Sequence, residues 1–510
     1  MTWVEGRGRA KSMPFDASPI RAQRVDVDAR VSWLMRVTRM ASPLGGTGDT
    51  FSKRLQDVGI YLDGPAISRM ESNRRHFPAE VISAYETILD LAPGQLLGVC
   101  ESMRRTLSYR SVQPPRTLDG AELRQELDRI SDVIRHGQPS GGDWLSLAHL
   151  MTQPNGIVLP RFVEDQWLYQ LIDEMSRSAG ISYISRIEAM SRVMTNDFGA
   201  ARMLEVGLDR IRELGVQSTS DVLHVWGDGH DSASVDAAII LLNDDSLEIQ
   251  RGAALALLQR VIEGRLDVDQ VARVVESTRR LARDGRPQAS ANAYMLGRRL
   301  SPEFGAEILA TTGITPGSDP ASGRIDQTPP ELHRYLDAGR EISGLENDLM
   351  LERLLREALT FDFPERRFQA RMMLGASPYA ACIAEAALNI VGKSESVLAR
   401  QSAILLLSHL SNHVRTEDLE PFLTSSDPYI RGKTLVALAH GPGASHDLDM
   451  HVHLLDPEVA HFAVYAAGMM RHPDLETAAT HRLVPAEVRH SAQWWQHRGG
   501  RVDDPTRESS

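Results

Sequence analysis

The sequence predicts an all-α protein, with an N-terminal head of five short helices followed by an α-solenoid-like helical repeat body. Three observations point there. Aromatic residues make up only 5% of the chain and runs of Val, Ile, Thr and Tyr are rare, whereas stretches of Ala, Leu, Arg and Glu recur from end to end. Apolar residues are 42% of 510, enough for several folding units with full cores, which excludes a disordered chain. Finally, four segments of the second half share one helical pattern.

The head spans residues 26–110. Val31, Leu34, Met35 and Val37 predict its first helix. Phe51 and Leu55 predict a second, opened by Asp49 or Thr50 as N-cap and ended by Gly59. After the connector Ile60 to Gly64, Pro65 suits the first turn of a compact third helix and Asn73 suits its left-handed exit. Pro78 precedes a fourth helix, with Val81, Ile82, Tyr85 and Leu89 spaced for burial. Pro93 opens a fifth containing Leu96 and Leu97. At about 100° per residue, the third helix turns Ile67, Met70 and Glu71 inward and Pro65, Ala66, Arg69 and Ser72 outward. That outward face is small, polar and cationic, the character that lets a helix enter a major groove.

The string ISRMESNRR, followed by FPAEVISAYETILDLAPGQLL, resembles the recognition helix and following helices of Cro/C1-type (XRE family) helix-turn-helix transcriptional regulators, in variants common in actinobacteria. Ser68, Arg69 and Glu71 match the family's Ser-Arg-x-Glu core, and Asn73 stands where the family usually has Gly. Gly59 to Ser68 is nine positions against the family's seven, so the turn is about two residues longer. The family's Gln and Ala of the second helix are absent, Phe51 and Leu55 taking that region. The resemblance implies a DNA-binding domain in which Pro65, Ala66, Ser68, Arg69, Ser72 and Asn73 face the groove. Arg74, Arg75, Lys53 and Arg54 would then neutralise phosphates.

The body follows the linker 111–120. Helix succeeds helix through 121–311, a longer break at 312–330 interrupts them, and they resume over 331–498. DDSLEIQRGAALALL from Asp244, KSESVLARQSAILLL from Lys393, SDPYIRGKTLVALA from Ser426 and LDPEVAHFAVYAAGM from Leu455 align. In each, a turn with Asp or Ser leads into Ile249, Ala399, Ile430 or Val459, and four positions later comes Ala253, Ala403, Thr434 or Ala463. Small residues at that spacing let helices pack closely. The pattern resembles HEAT or armadillo-type repeats, which implies stacked antiparallel helix pairs. The helices of 121–230, for example those over 164–177 and 181–194, form either the first part of that solenoid or a separate bundle. Residues 1–25 read as a flexible arm and 499–510 as a disordered tail.

Net charge is −12, divided unevenly: residues 1–110 carry +4 and the remainder −16. A basic head on an acidic body is the asymmetry expected when one segment meets DNA and the rest does something else. Basic residues comprise 52 Arg but only Lys11, Lys53, Lys393 and Lys433, a skew that reflects a GC-rich genome. Cys100 and Cys382 alone build neither a disulfide framework nor a four-thiolate zinc site. Gly432-Lys433-Thr434 imitates the end of a phosphate loop, but the glycine required five positions earlier is Asp427. His451 and His453 diverge by about 200° on a helix, so they do not share a metal. No nucleophile motif occurs. The expectation is therefore a cytoplasmic, nucleoid-associated protein that is not an enzyme and needs no cofactor, metal or membrane. It would act as a sequence-specific transcriptional regulator on double-stranded DNA, as a homodimer, with a protein partner or small effector on the repeat body. The alternative is a protein-interaction scaffold whose repeats are the working part and whose head only localises it.

Overall fold

Helix starts in this chain are written in short polar side chains that accept a backbone N–H of the first turn: Ser140, Ser246, Asp267, Ser301, Ser396 and Asp427 all do so. The computed structural model describes residues 13–22, 24–108, 116–154, 156–314, 327–361, 363–443 and 448–504. Among them every regular element is helical, and the sole β feature is an isolated parallel bridge between Val25 and Ser108.

The head contains α1 (Val27–Ala41), α2 (Gly48–Asp57), α3 (Gly64–Met70), α4 (Ala79–Ile88) and α5 (Leu97–Leu107). Helix α2 is capped by Thr47 and not by Asp49 or Thr50: the Thr47 hydroxyl accepts from Thr50 N at 3.3 Å, so the helix begins earlier than its apolar residues indicate. Five helices follow, α6 (Gly120–His136), α7 (Gly141–Thr152), α8 (Arg161–Ser176), α9 (Gly180–Met194) and α10 (Asp197–Ile211), the last four packed on one another. Next come α11 (Thr219–His224), α12 (Ser232–Leu241), α13 (Leu247–Glu263), α14 (Val268–Ala282), α15 (Pro287–Leu300) and α16 (Pro302–Thr312). Here the chain stacks in two layers, with α11, α13 and α15 in contact along one and α12, α14 and α16 along the other. Beyond the break lie α17 (Leu332–Ser343), α18 (Leu349–Thr360), α19 (Pro364–Ala376), α20 (Ala380–Lys393), α21 (Val397–Leu410), α22 (Thr416–Leu419) and α23 (Pro428–His440). The chain continues with α24 (Met450–Leu455), α25 (Ala460–Met469), α26 (Asp474–Thr480) and α27 (Ala486–Arg498). Helices α19, α21, α23, α25 and α27 pack in succession. Alternate-helix stacking of this kind is the architecture of a helical repeat.

The small residues of the repeat pattern explain the stacking. Ala253, Ala403, Thr434 and Ala463 are each completely buried in α13, α21, α23 and α25. At Gly432 an added Cβ would lie 2.4 Å from the Phe462 ring, so α23 and α25 approach as closely as they do only because that position is glycine. The Gly-Lys-Thr triplet is thus helix interior, and the Thr434 hydroxyl donates back to Ile430 O at 2.8 Å.

The head is embedded rather than tethered. Arg30 of α1 is fully buried and donates both terminal nitrogens to Glu357 of α18 at 2.8 and 2.7 Å, while its Nε donates to Asp16 at 2.8 Å. Arg353 and Arg366 also meet Glu357. Burial opposes the charge on Glu357, but Arg30 and Arg366 outweigh it and hold the carboxyl well below its usual range. Nearby, Trp33 donates to Asp348 at 2.9 Å and stacks on Tyr379 at 5.9 Å. Helix α5 packs on both α9 and α19.

Two expectations are corrected here. The arm was expected to be flexible, yet Asp16 is fully buried in this network and Ser18 O accepts from Arg353 at 2.6 Å; residues 1–12 lie outside the described residues. The tail was expected to be disordered from 499, yet Val502 N donates to Arg177 O at 2.8 Å and Asp504 accepts from Gly141 N, Ser182 Oγ and Arg186 Nη1 at 3.0, 3.0 and 2.7 Å. Buried arginines at both places need a carboxylate, and these two segments supply it. Residues 505–510 lie outside the described residues, as do 109–115 of the first linker and 315–326 of the second. No single helix among the described residues is long and apolar enough to cross a membrane.

Candidate nucleic-acid interface

Helices α2 and α3 are joined by the turn 58–63. Gly59 adopts φ +82° and Ile60 N donates to Leu55 O at 2.8 Å, which closes α2. Asp63 then caps α3 by accepting from Ala66 N at 2.6 Å, with Pro65 in the first turn. Gly64 admits Asp49 of α2 against its backbone, since a Cβ there would sit 2.4 Å from the Asp49 carboxylate.

What holds α3 in place is Glu71. Its carboxylate takes a two-point bond from Arg39 of α1, at 2.5 and 2.6 Å, and a hydrogen bond from the Tyr85 hydroxyl of α4 at 2.9 Å. Ile67 and Met70 point inward and are each 1% exposed. The Arg39 guanidinium and the phenol of Tyr85, itself packed edge-on against Phe51 and Phe77, fix the angle at which α3 leaves the head.

The outward face is narrower than the sequence reading drew it. Pro65 and Arg69 are exposed, as are Lys53, Arg74 and Arg75, and none of these four cations is ion-paired among the described residues. Ala66, in contrast, is 4% exposed: with its N–H bound to the Asp63 cap it lies against the core and offers nothing to a groove. Ser72 is half-buried and donates to Ser68 O at 2.7 Å, so its hydroxyl is used within the helix exit, and Ser68 is half-buried as well. Asn73 has the expected left-handed φ of 57°, but its amide donates to Asp26, the cap of α1, at 3.2 Å, which removes it from an outward role. Arg54 is half-buried and donates to Leu44 O, bracing the loop before α2. His76 bonds Asp28 at 2.9 Å.

Charge on this face is polarised. Exposed Asp49 and Asp63 flank the start of α3, whereas Arg69, Arg74 and Arg75 gather towards its exit. Attraction for a polyanion is concentrated at that exit. Sequence reasoning missed Tyr61, which is 83% exposed in the turn just ahead of the Asp63 cap. An aromatic residue between two helices, outside the apolar period of either, was the available signal.

The chain matches no family model and no curated protein. Among solved structures, it is similar to human deoxyhypusine hydroxylase in complex with glycerol, at 17% identity and TM-score 0.25, over 70% of this chain and 96% of that one. A designed armadillo repeat protein shows 12% identity and TM-score 0.14, over 54% of this chain and 99% of that one. UNC-45 from Drosophila melanogaster shows 14% identity and TM-score 0.20, over 94% of this chain and 72% of that one. Similarities this low carry no argument about activity, and the helical-repeat architecture rests on the stacking of the chain's own helices.

Proposed function

We propose that the chain docks on duplex DNA through α3 and the arginines at its exit, with the repeat body serving as the rigid mount and as a surface for partners. The observation that carries this reading is the exposure of Arg69 on α3 together with Arg74 and Arg75 at its exit, on a helix that Glu71 braces from behind. Arg69 reads a base edge and Arg74 and Arg75 neutralise phosphates. A homodimer on a two-fold site supplies the affinity that one small reading surface lacks.

Fluorescence anisotropy on a DNA site selected from random sequence tests it. Arg69→Ala is expected to cost about 1 to 3 kcal/mol on the selected site with little change on random DNA. Arg74→Ala is expected to weaken both alike and to reduce the salt dependence. Absence of any salt-sensitive binding by the intact chain defeats the proposal.

A second reading, an interaction scaffold whose head only localises it, is favoured by how deeply α1 is sunk into the repeats through Arg30 and Trp33. Affinity capture with the intact chain separates the two. A stoichiometric protein partner retained by Arg69→Ala, with no selected DNA site, supports scaffolding.

A further inference from the structure

Where α5 of the head meets α9, α11, α13 and α19, the helices leave a cavity of about 140 Å³. Its polar lining is unbalanced. Asp228 is neutralised by Arg105, which also binds Glu188 at 2.9 Å. Asp221 and Glu365 have no ion pair with any Arg or Lys among the described residues. Glu365 accepts from the Gln369 amide at 2.8 Å and lies 3.7 Å from His224 Nε2, and Tyr183 lines the cavity together with Asp221. His224 is the nearest basic group to both carboxyls and attracts Asp221, which Glu248 opposes; Arg251 and Arg105 add only longer-range attraction. The remaining walls are apolar: Ile187, Leu255 and Leu258, with Phe363 and with Tyr183 set edge-on to Phe368 at 6.0 Å.

We propose that this cavity binds a small organic ammonium ion, with Asp221 and Glu365 as counter-charges and the rings of Tyr183 and Phe368 among its walls. Two carboxylates that share only the imidazole of His224 are costly beside apolar rings, and an alkylammonium ion satisfies both kinds of wall at once. The volume equals that of about five waters, which suits a short linear diamine and excludes a nucleotide. The tension is visible at Asp221, where burial pushes the carboxyl up to about 6. Burial, then the fields of Asp221 and Glu365, likewise push the Tyr183 phenol well above its usual range. Ser102 of α5 lines the same cavity and accepts from the Gln369 amide at 2.7 Å, so an occupant touches the head and both parts of the body. None of this rests on the DNA reading.

Calorimetric titration of the intact chain with 1,4-diaminobutane, against 1,4-butanediol and magnesium chloride as controls, is the test. Saturable binding of the diamine alone is expected, weakened at least about thirtyfold in Asp221→Asn and in Glu365→Gln, the loss that follows removal of a buried charge partner. Thermal melting without ligand guards against misfolding. Asp221→Asn is expected to melt at or above the parent temperature, because it removes a half-buried carboxylate with no guanidinium or ammonium partner, and the diamine should raise the melting temperature of the parent only. Equal binding of the butanediol, equal binding by magnesium, no saturation at millimolar diamine, or undiminished affinity in the double variant each overturns the proposal.

Discussion

Glu71 shows how much of this molecule is decided by a single carboxylate. Glu71 is read from sequence as an inward residue of α3, and the structure adds that Arg39 and Tyr85 both terminate on it. Replacing it by Gln leaves a mostly buried guanidinium without its charge partner. Urea unfolding of Glu71→Gln is expected to show a loss of about 3 to 5 kcal/mol, because one member of a buried pair has gone. Arg69→Ala, two residues away but exposed, should stay within about 0.5 kcal/mol of the parent. Equal stabilities would mean that Glu71 does not brace the helix.

At the scale of elements, the repeat helices were legible because their requirement is chemical and local. A close helix crossing needs a small residue, and Ala253, Ala403, Thr434 and Ala463 occupy those crossings as the alignment of four segments anticipates. Ala403→Leu is expected to destabilise by about 1 to 3 kcal/mol through overpacking between α21 and its neighbours. On the same helix Val397 is 50% exposed, and Val397→Ala should change little; thermal denaturation compares the two. Helix α3 was harder to read. Its length and left-handed exit follow from Pro65 and Asn73, but a seven-residue helix has too few positions for periodicity to separate a half-turned residue from an outward one. Ala66 was misplaced for that reason. The partners of Ser72 and Asn73 depend on where α3 ends and on the position of the α1 cap, and neither is written in local spacing.

Across the whole molecule, the long-range pairs were the least legible feature. Arg30 and Glu357 stand 327 residues apart, and nothing near either marks the other. Their union makes the embedded head a single unit with the repeats, and it ties that unit to pH. Since the Glu357 carboxyl is held below its ordinary range, the unfolded chain takes up that proton first. The stability it confers is complete above the ordinary carboxylate pKa and drains away as pH falls beneath it. His440 drives the same trend from higher pH. Burial pushes its ring down to about 4 while Nδ1 donates to Ser408 O at 2.9 Å, so the unfolded chain binds its proton between the usual imidazole value and about 4. Denaturation from pH 7 to 3 should therefore show falling stability, with Glu357→Gln less stable at pH 7 and flatter in its acid limb. A parallel acid limb would place the sensitivity elsewhere.

The contact of Asp504 with Arg186 sets an order on assembly. Arg186 is wholly enclosed, and the nearest carboxylates that satisfy it are Glu174, made early, and Asp504, made 318 residues afterwards. While the polypeptide is still emerging from the ribosome, the α7–α10 region holds a half-matched guanidinium that only the late segment completes, like a clasp whose second half is forged last. Asp504→Asn should slow refolding after dilution from urea more than it alters the contacts made within α7 to α10, and stopped-flow tryptophan fluorescence is suited to see it, because Trp144 bonds Glu174, the carboxylate that Arg186 shares.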